Sequence, residues 1–123
     1  MSVTTRNFGK TGRGEEVTLY RLENSRGMAA EVIDFGAHLV NLYVADRNGQ
    51  IDDVVLGYDN IDGYLTNSCF FGSVIGRCAN RIAKGHFIIN GAEYNLEKNE
   101  SGNNLHSSFE HGFHKRMFKK LHY

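Results

Sequence analysis

Short apolar runs, broken every few residues by Gly, Asn or Asp, follow one another down this chain. Ser2 to Phe8 reads as a strand, and Gly9, Gly12 and Gly14 as the turn behind it. Glu16 to Leu22 sets Val17, Leu19 and Arg21 against Thr18, Tyr20 and Leu22, the period-two pattern of a half-buried strand. Asn24 to Gly27 is a turn. Met28 to Ile33 and His38 to Val44 are the next strands, with Gly36 breaking the chain between them. Asn48-Gly49 predicts a second turn, leading into a strand from Ile51 to Leu56. Asp59 to Thr66 is the one helical pattern, with Asn60 as its cap and Ile61, Tyr64 and Leu65 facing inward.

The second half is organised around a hairpin. Phe87, Ile88 and Ile89 run into Asn90-Gly91, and Ala92 to Leu96 run out. Asn-Gly between two strand-like runs is a strong hairpin signal, because both central positions of the tight turn need positive φ. Ahead of the hairpin lies the Gly-punctuated segment Gly72 to Gly85, carrying Arg77, Asn80 and Arg81. Behind it, the polar loop Asn99 to Asn104 ends in Leu105-His106. The hairpin therefore brings Asn80 and Arg81 to its base from one side and His106 from the other. A guanidinium, an amide and an imidazole converging on one place suit a polyhydroxylated ligand, whose oxygens need directed donors. From Phe113 onward the spacing of Phe113, Met117, Phe118 and Leu121 fits either a helix or a strand. The expected fold class is all-β and mostly antiparallel.

Composition supports that class. The chain has 14 Gly, no Pro, and 14 Tyr plus Phe, a mix suited to short strands joined by tight turns. One hundred and twenty-three residues make one ordinary domain, taken as 1–123. Lys plus Arg and Asp plus Glu balance at 14 each, so no global field draws the chain to nucleic acid or an anionic membrane. Locally, no acid follows Glu110, while Lys115, Arg116, Lys119 and Lys120 do, and this basic end is expected in solvent. Cys69 and Cys78 make no disulfide framework. No signal peptide or membrane-length apolar stretch is present, so a cytoplasmic, reduced protein is expected.

The motif G-S-V-I-G-R-C-A-N-R-I-A-K-G-H-F, then N-G-A-E-Y-N-L, then N-N-L-H, resembles the galactose mutarotase (aldose 1-epimerase) family. The match is ordered over Gly72 to Phe113 and looser upstream. It implies the N-terminal part of a galactose-mutarotase-like β-sandwich, and a sugar site lined by Asn80, Arg81 and His106. The resemblance covers about the first third of family members. Their remainder supplies a second histidine as general acid, a glutamate as general base and a sugar-binding aspartate, none with a counterpart before Tyr123. The family's Leu-His-Gly-Gly is Leu-His-Ser-Ser here, Leu105 to Ser108.

Mutarotation opens a hemiacetal and recloses it on the other face, which needs a base at the anomeric hydroxyl and an acid at the ring oxygen. The expected substrate is an aldohexose such as galactose or glucose, with no cofactor and no metal. Without its acid–base pair this chain is expected to be nearly inactive, so no catalytic residue is assigned. Each site residue also has a plain structural reading: His106 as a loop histidine bonded to its own turn, Arg81 in a salt bridge, Asn80 as a turn residue. Arg77 reads as structural; on a strand it shares a face with Arg81 four residues on, and reaching the site is its alternative. Glu97, Glu100 and Glu110 are assigned to solvent. The spacing of His106, His111 and His114, with His122 beyond, hints only loosely at a metal site, and scattered surface histidines explain it equally well. The alternative to an epimerase is a non-catalytic β-module that binds carbohydrate or a partner chain. Strand edges left open by a missing layer would promote self-association.

Overall fold

The structure is a computed structural model and describes residues 1–121; His122 and Tyr123 lie outside the described residues. Two compact units are present, Met1–Ser73 with the segment from Met117, and Val74–Arg116.

The first unit is a five-stranded antiparallel meander, β1 (Ser2–Lys10), β2 (Glu16–Glu23), β3 (Ala29–Ile33), β4 (Leu39–Ala45) and β5 (Ile51–Asp53), in sequential order. The alternation in β2 sets its register. Leu19 lies opposite Ile33 and Tyr20 opposite Val32. Val17, Leu19 and Ile33 are buried and join Phe8, Phe35, Val40, Ile61 and Tyr64 in one cluster. Each of those aliphatic side chains contributes roughly 2 kcal/mol of burial. The other face carries Tyr20, Leu22 and Val32. With Met1, Val3 and Phe118 they line an apolar groove of about 370 Å³.

The helical pattern becomes α1 (Ile61–Thr66), capped by Asn60, whose side-chain oxygen accepts from the Gly63 N–H at 3.3 Å. Tyr64 is fully buried, and its hydroxyl accepts from the Tyr58 N–H at 3.1 Å. His38 stacks on Phe35, lies tilted against Tyr64, and is also fully buried. The chain end is not wholly a solvated tail. Met117 bridges to Phe35 and packs against the core, and the Phe118 N–H donates to Asp34 O at 2.7 Å. Lys115 is half-buried, whereas Arg116, Lys119 and Lys120 are exposed as expected.

In the second unit, β6 (Arg81–Ile82) pairs antiparallel with β9 (Asn104–Leu105), and β7 (His86–Ile89) with β8 (Ala92–Asn95). Asn90 and Gly91 take φ of 51° and 80°, the two positive values the tight hairpin turn requires. Phe87 stacks on Tyr94 across the strands at 5.1 Å, and the Leu96 N–H donates to Gly85 O to close the hairpin base. A 3₁₀ turn, Phe113–Lys115, ends the unit.

Candidate sugar-binding site

The hairpin base gathers the three predicted residues. Arg81 pairs with Leu105 in the β6–β9 ladder, which places Asn80 beside His106. Two hydrogen bonds join them: the His106 N–H donates to Asn80 O, and the Asn80 N–H donates to His106 Nδ1, both at 3.0 Å. Since Nδ1 accepts, the neutral imidazole carries its proton on Nε2. His106 is thus fixed as an Nε2–H donor. Asn80 and His106 hold φ of 57° and 56°. Asn tolerates this left-handed region best among residues with a side chain, and the mutual hydrogen bonds offset the strain.

Arg81 meets an acid, as its structural reading anticipated. Its Nε and Nη2 donate to the two carboxylate oxygens of Glu100 at 3.1 and 3.0 Å, the forked geometry guanidinium and carboxylate share. Its Nη1 reaches Asn80 Oδ1 at 3.4 Å. Three of the five guanidinium N–H groups are so engaged. Glu100 was expected in solvent and is instead half-buried against Arg81, because a carboxylate opposite a guanidinium gains two charge-assisted bonds. The pairing holds the Glu100 carboxyl below the usual glutamate range and raises Arg81. Glu97 and Glu110 are exposed.

The loop that carries His106 is held by asparagines. Asn104 is fully buried and donates through Nδ2 to Glu97 O and Ser107 O. Asn99 grips Leu105 twice, accepting from its N–H at 2.7 Å and donating to its carbonyl at 2.9 Å. Ser107 Oγ accepts from the Cys78 N–H at 2.8 Å and donates to the Cys78 carbonyl at 3.0 Å. Sequence reasoning passed over these residues. Polar loop asparagines read as solvated turns until the backbone groups they satisfy are seen.

Arg77 lies over the Phe113 ring, 5.6 Å from its centroid, and makes no pair with Asn80 or Arg81 among the described contacts. The histidines have separate settings. His111 is exposed, while His114 is buried and donates to Phe109 O at 3.2 Å. Burial pushes the His114 imidazole below its ordinary pKa. His122 lies outside the described residues. Beside the site, Cys78 and Ser107 help line a groove of about 740 Å³ with Phe87, Tyr94, Phe113 and Arg77.

The mostly antiparallel β-fold thus brings an Asn-Arg pair and a loop histidine together at the base of one hairpin. Residues 18–119 match the family model described as aldose 1-epimerase, and the chain belongs to that family. It is 42% identical over 119 residues to galactose mutarotase from Mus musculus, covering 96% of this chain and 34% of that protein. To the Homo sapiens galactose mutarotase it is 42% identical, covering 95% and 34%. To aldose 1-epimerase from Escherichia coli K12 it is 32% identical, covering 86% and 30%. Among solved structures it is similar to an aldose epimerase homologue from C. elegans, with TM-score 0.78, 30% identity, and coverage of 85% of this chain and 32% of that one. It also shares the fold of a galactose 1-epimerase from Lactobacillus acidophilus, with TM-score 0.76, 22% identity, and coverage of 94% and 32%. The chain spans about a third of the length of the relatives it matches.

Proposed function

We propose that this chain is the N-terminal portion of an aldose 1-epimerase, an enzyme that interconverts the α and β anomers of galactose, glucose or a related aldose, and that the chain forms one wall of its sugar site. The carrying observation is the Asn80–His106 pair, which fixes His106 as an Nε2–H donor while the Arg81 guanidinium reaches the Asn80 side chain. Such donors complement a hemiacetal's hydroxyl and ring oxygens and stabilise negative charge as it develops there. The general acid and base lie outside these 123 residues in this reading. Glu100 is unsuited to the base role, since its pairing with Arg81 lowers its basicity while a base working near neutral pH needs the opposite shift. The free thiols of Cys69 and Cys78 suit a reducing compartment, and a cytoplasmic location belongs to the proposal.

The test is a titration with galactose and glucose followed at the amides of Asn80, Arg81 and His106, together with polarimetry. Saturable shifts at those residues, lost in His106→Ala, with anomer interconversion no faster than in buffer, are the expected result. Interconversion well above buffer that disappears in His106→Ala would overturn the assignment of the acid–base pair to residues beyond this chain. Absence of saturable shifts would overturn the sugar wall. Self-association is part of the same proposal, because β1 is an edge strand of the described sheet and the Tyr20–Leu22–Val32 face is half-exposed. Sedimentation giving a monomer at all concentrations would refute it.

A further inference from the structure

Ser107 stands where the resembled family pattern has glycine, and its backbone takes φ of 70°, a conformation that suits glycine better than serine. Its hydroxyl nevertheless makes two bonds to a single residue, accepting from the Cys78 N–H and donating to the Cys78 carbonyl. A hydroxyl has one proton and two lone pairs, so this clasp uses the proton and one lone pair. Cys78 is two residues before Asn80, and Ser107 follows His106 directly. The clasp therefore ties together two segments that the Asn80–His106 pair and the β6–β9 ladder also join, on the side of that pair away from the ladder. From the other side, Asn104 Nδ2 holds the Ser107 carbonyl. Ser107 is thus gripped at both its side chain and its backbone, one residue from the imidazole.

We propose that Ser107 is a positioning residue, whose hydroxyl clasp on Cys78 holds His106 Nδ1 against the Asn80 N–H and so keeps the imidazole in its Nε2–H form. This role serves the sugar site proposed above and rests on that reading for its functional meaning. Two costs oppose each other at this position. Serine at positive φ is strained, and glycine would relieve the strain while losing the clasp. Ser107→Gly and Ser107→Ala therefore separate backbone strain from hydroxyl chemistry. Both remove the hydroxyl, but only the glycine removes the strain.

The experiment compares the wild-type chain with Ser107→Gly and Ser107→Ala, without sugar. It reads the ¹⁵N shifts of the His106 ring and the exchange rate of the Asn80 amide. Wild type should show a predominant Nε2–H tautomer and a protected Asn80 amide. Both variants should mix the tautomers and speed Asn80 exchange about ten-fold, the loss expected when the constraint of roughly one net hydrogen bond is removed. The effect should persist in Ser107→Gly even where that variant melts no lower than wild type, an outcome a merely structural serine would not give. Unchanged ring shifts and Asn80 protection in both variants would overturn the proposal. A galactose titration of the same three proteins keeps the two readings apart. If wild type shows the clasp signature and no sugar binding, the sugar wall fails and the clasp stands. If sugar binds equally to all three while the ring shifts are unchanged, the clasp fails and the sugar wall stands.

Discussion

Asn104→Ala tests whether the His106 loop is built from within. The side chain is fully buried, and its amide supplies hydrogen to two carbonyls, Glu97 O and Ser107 O. Alanine removes both donors and leaves two carbonyls without those partners, at roughly 1–3 kcal/mol for each unsatisfied group. One effect works the other way. Asn104 Oδ1 is buried with no partner among the described residues, so its removal returns part of a desolvation cost already borne by the fold. The net expectation is a loss of about 2–3 kcal/mol in the local stability of this loop. Asn104→Asp should cost more, since it keeps the shape but turns the amide that faces the two carbonyls into an acceptor. The assay is native-state amide exchange at Leu105 and His106, with Tyr64 and Leu19 as controls in the other unit. A change below about 0.5 kcal/mol for Asn104→Ala, the range of an ordinary surface substitution, would refute the reasoning.

Three further outcomes follow from single interactions. Asn60→Ala removes the cap of α1 and should lower stability by about 1 kcal/mol in a urea titration, with Asn60→Asp retaining most of it. Burial lowers the His114 pKa, so the folded state resists protonation; stability from this group is full above the unfolded value near 6.5 and is lost as pH falls from there through the lowered folded value. A melting-temperature profile should therefore drop on that side, and His114→Gln should flatten it; an unchanged slope would contradict the burial argument. For Glu100 the folded pKa is also lowered, by Arg81, so the pair's contribution is present above the ordinary glutamate value of 4.5 and is lost as pH falls through the folded value. Glu100→Gln should abolish that acid-side change and free the Arg81 guanidinium, seen as faster exchange of its Nε proton.

The fold was legible where a residue's local preference and its tertiary setting agree. Val17 and Leu19 alternate in sequence and are buried on one face in the structure. Asn90-Gly91 requires positive φ and has it. Asn60 caps the helix it was expected to cap. Element ends were less legible. The strand read as Ile51 to Leu56 stops at Asp53, whose carboxylate accepts from the Leu42 and Val55 N–H groups in place of a continuing ladder. A side chain that satisfies backbone donors competes with strand pairing, and residue type alone does not say which will win. Met117 shows the same limit at longer range. Its spacing fitted a helix or a strand equally, and it forms an isolated bridge to Phe35 instead.

At the site, the residues proposed to meet a sugar and the residues that hold them left different traces. Asn80, Arg81 and His106 stand out through a motif, and the hairpin that joins their segments brings them together. Glu100, Asn104 and Ser107 act on backbone and on one another, so each looked like an ordinary polar loop residue. The positive φ values at Asn80, His106 and Ser107 link the two groups. Three residues with side chains in a region that favours glycine, inside two short segments, would together cost on the order of a few kcal/mol. Such a cost persists only where the surroundings over-determine the backbone. Here they do so through the reciprocal Asn80–His106 bonds, the Ser107–Cys78 clasp and the Asn104 amide. The holding residues are therefore the condition for the backbone geometry at Asn80 and His106. Loosening one of them should disturb the His106 imidazole before it disturbs the fold.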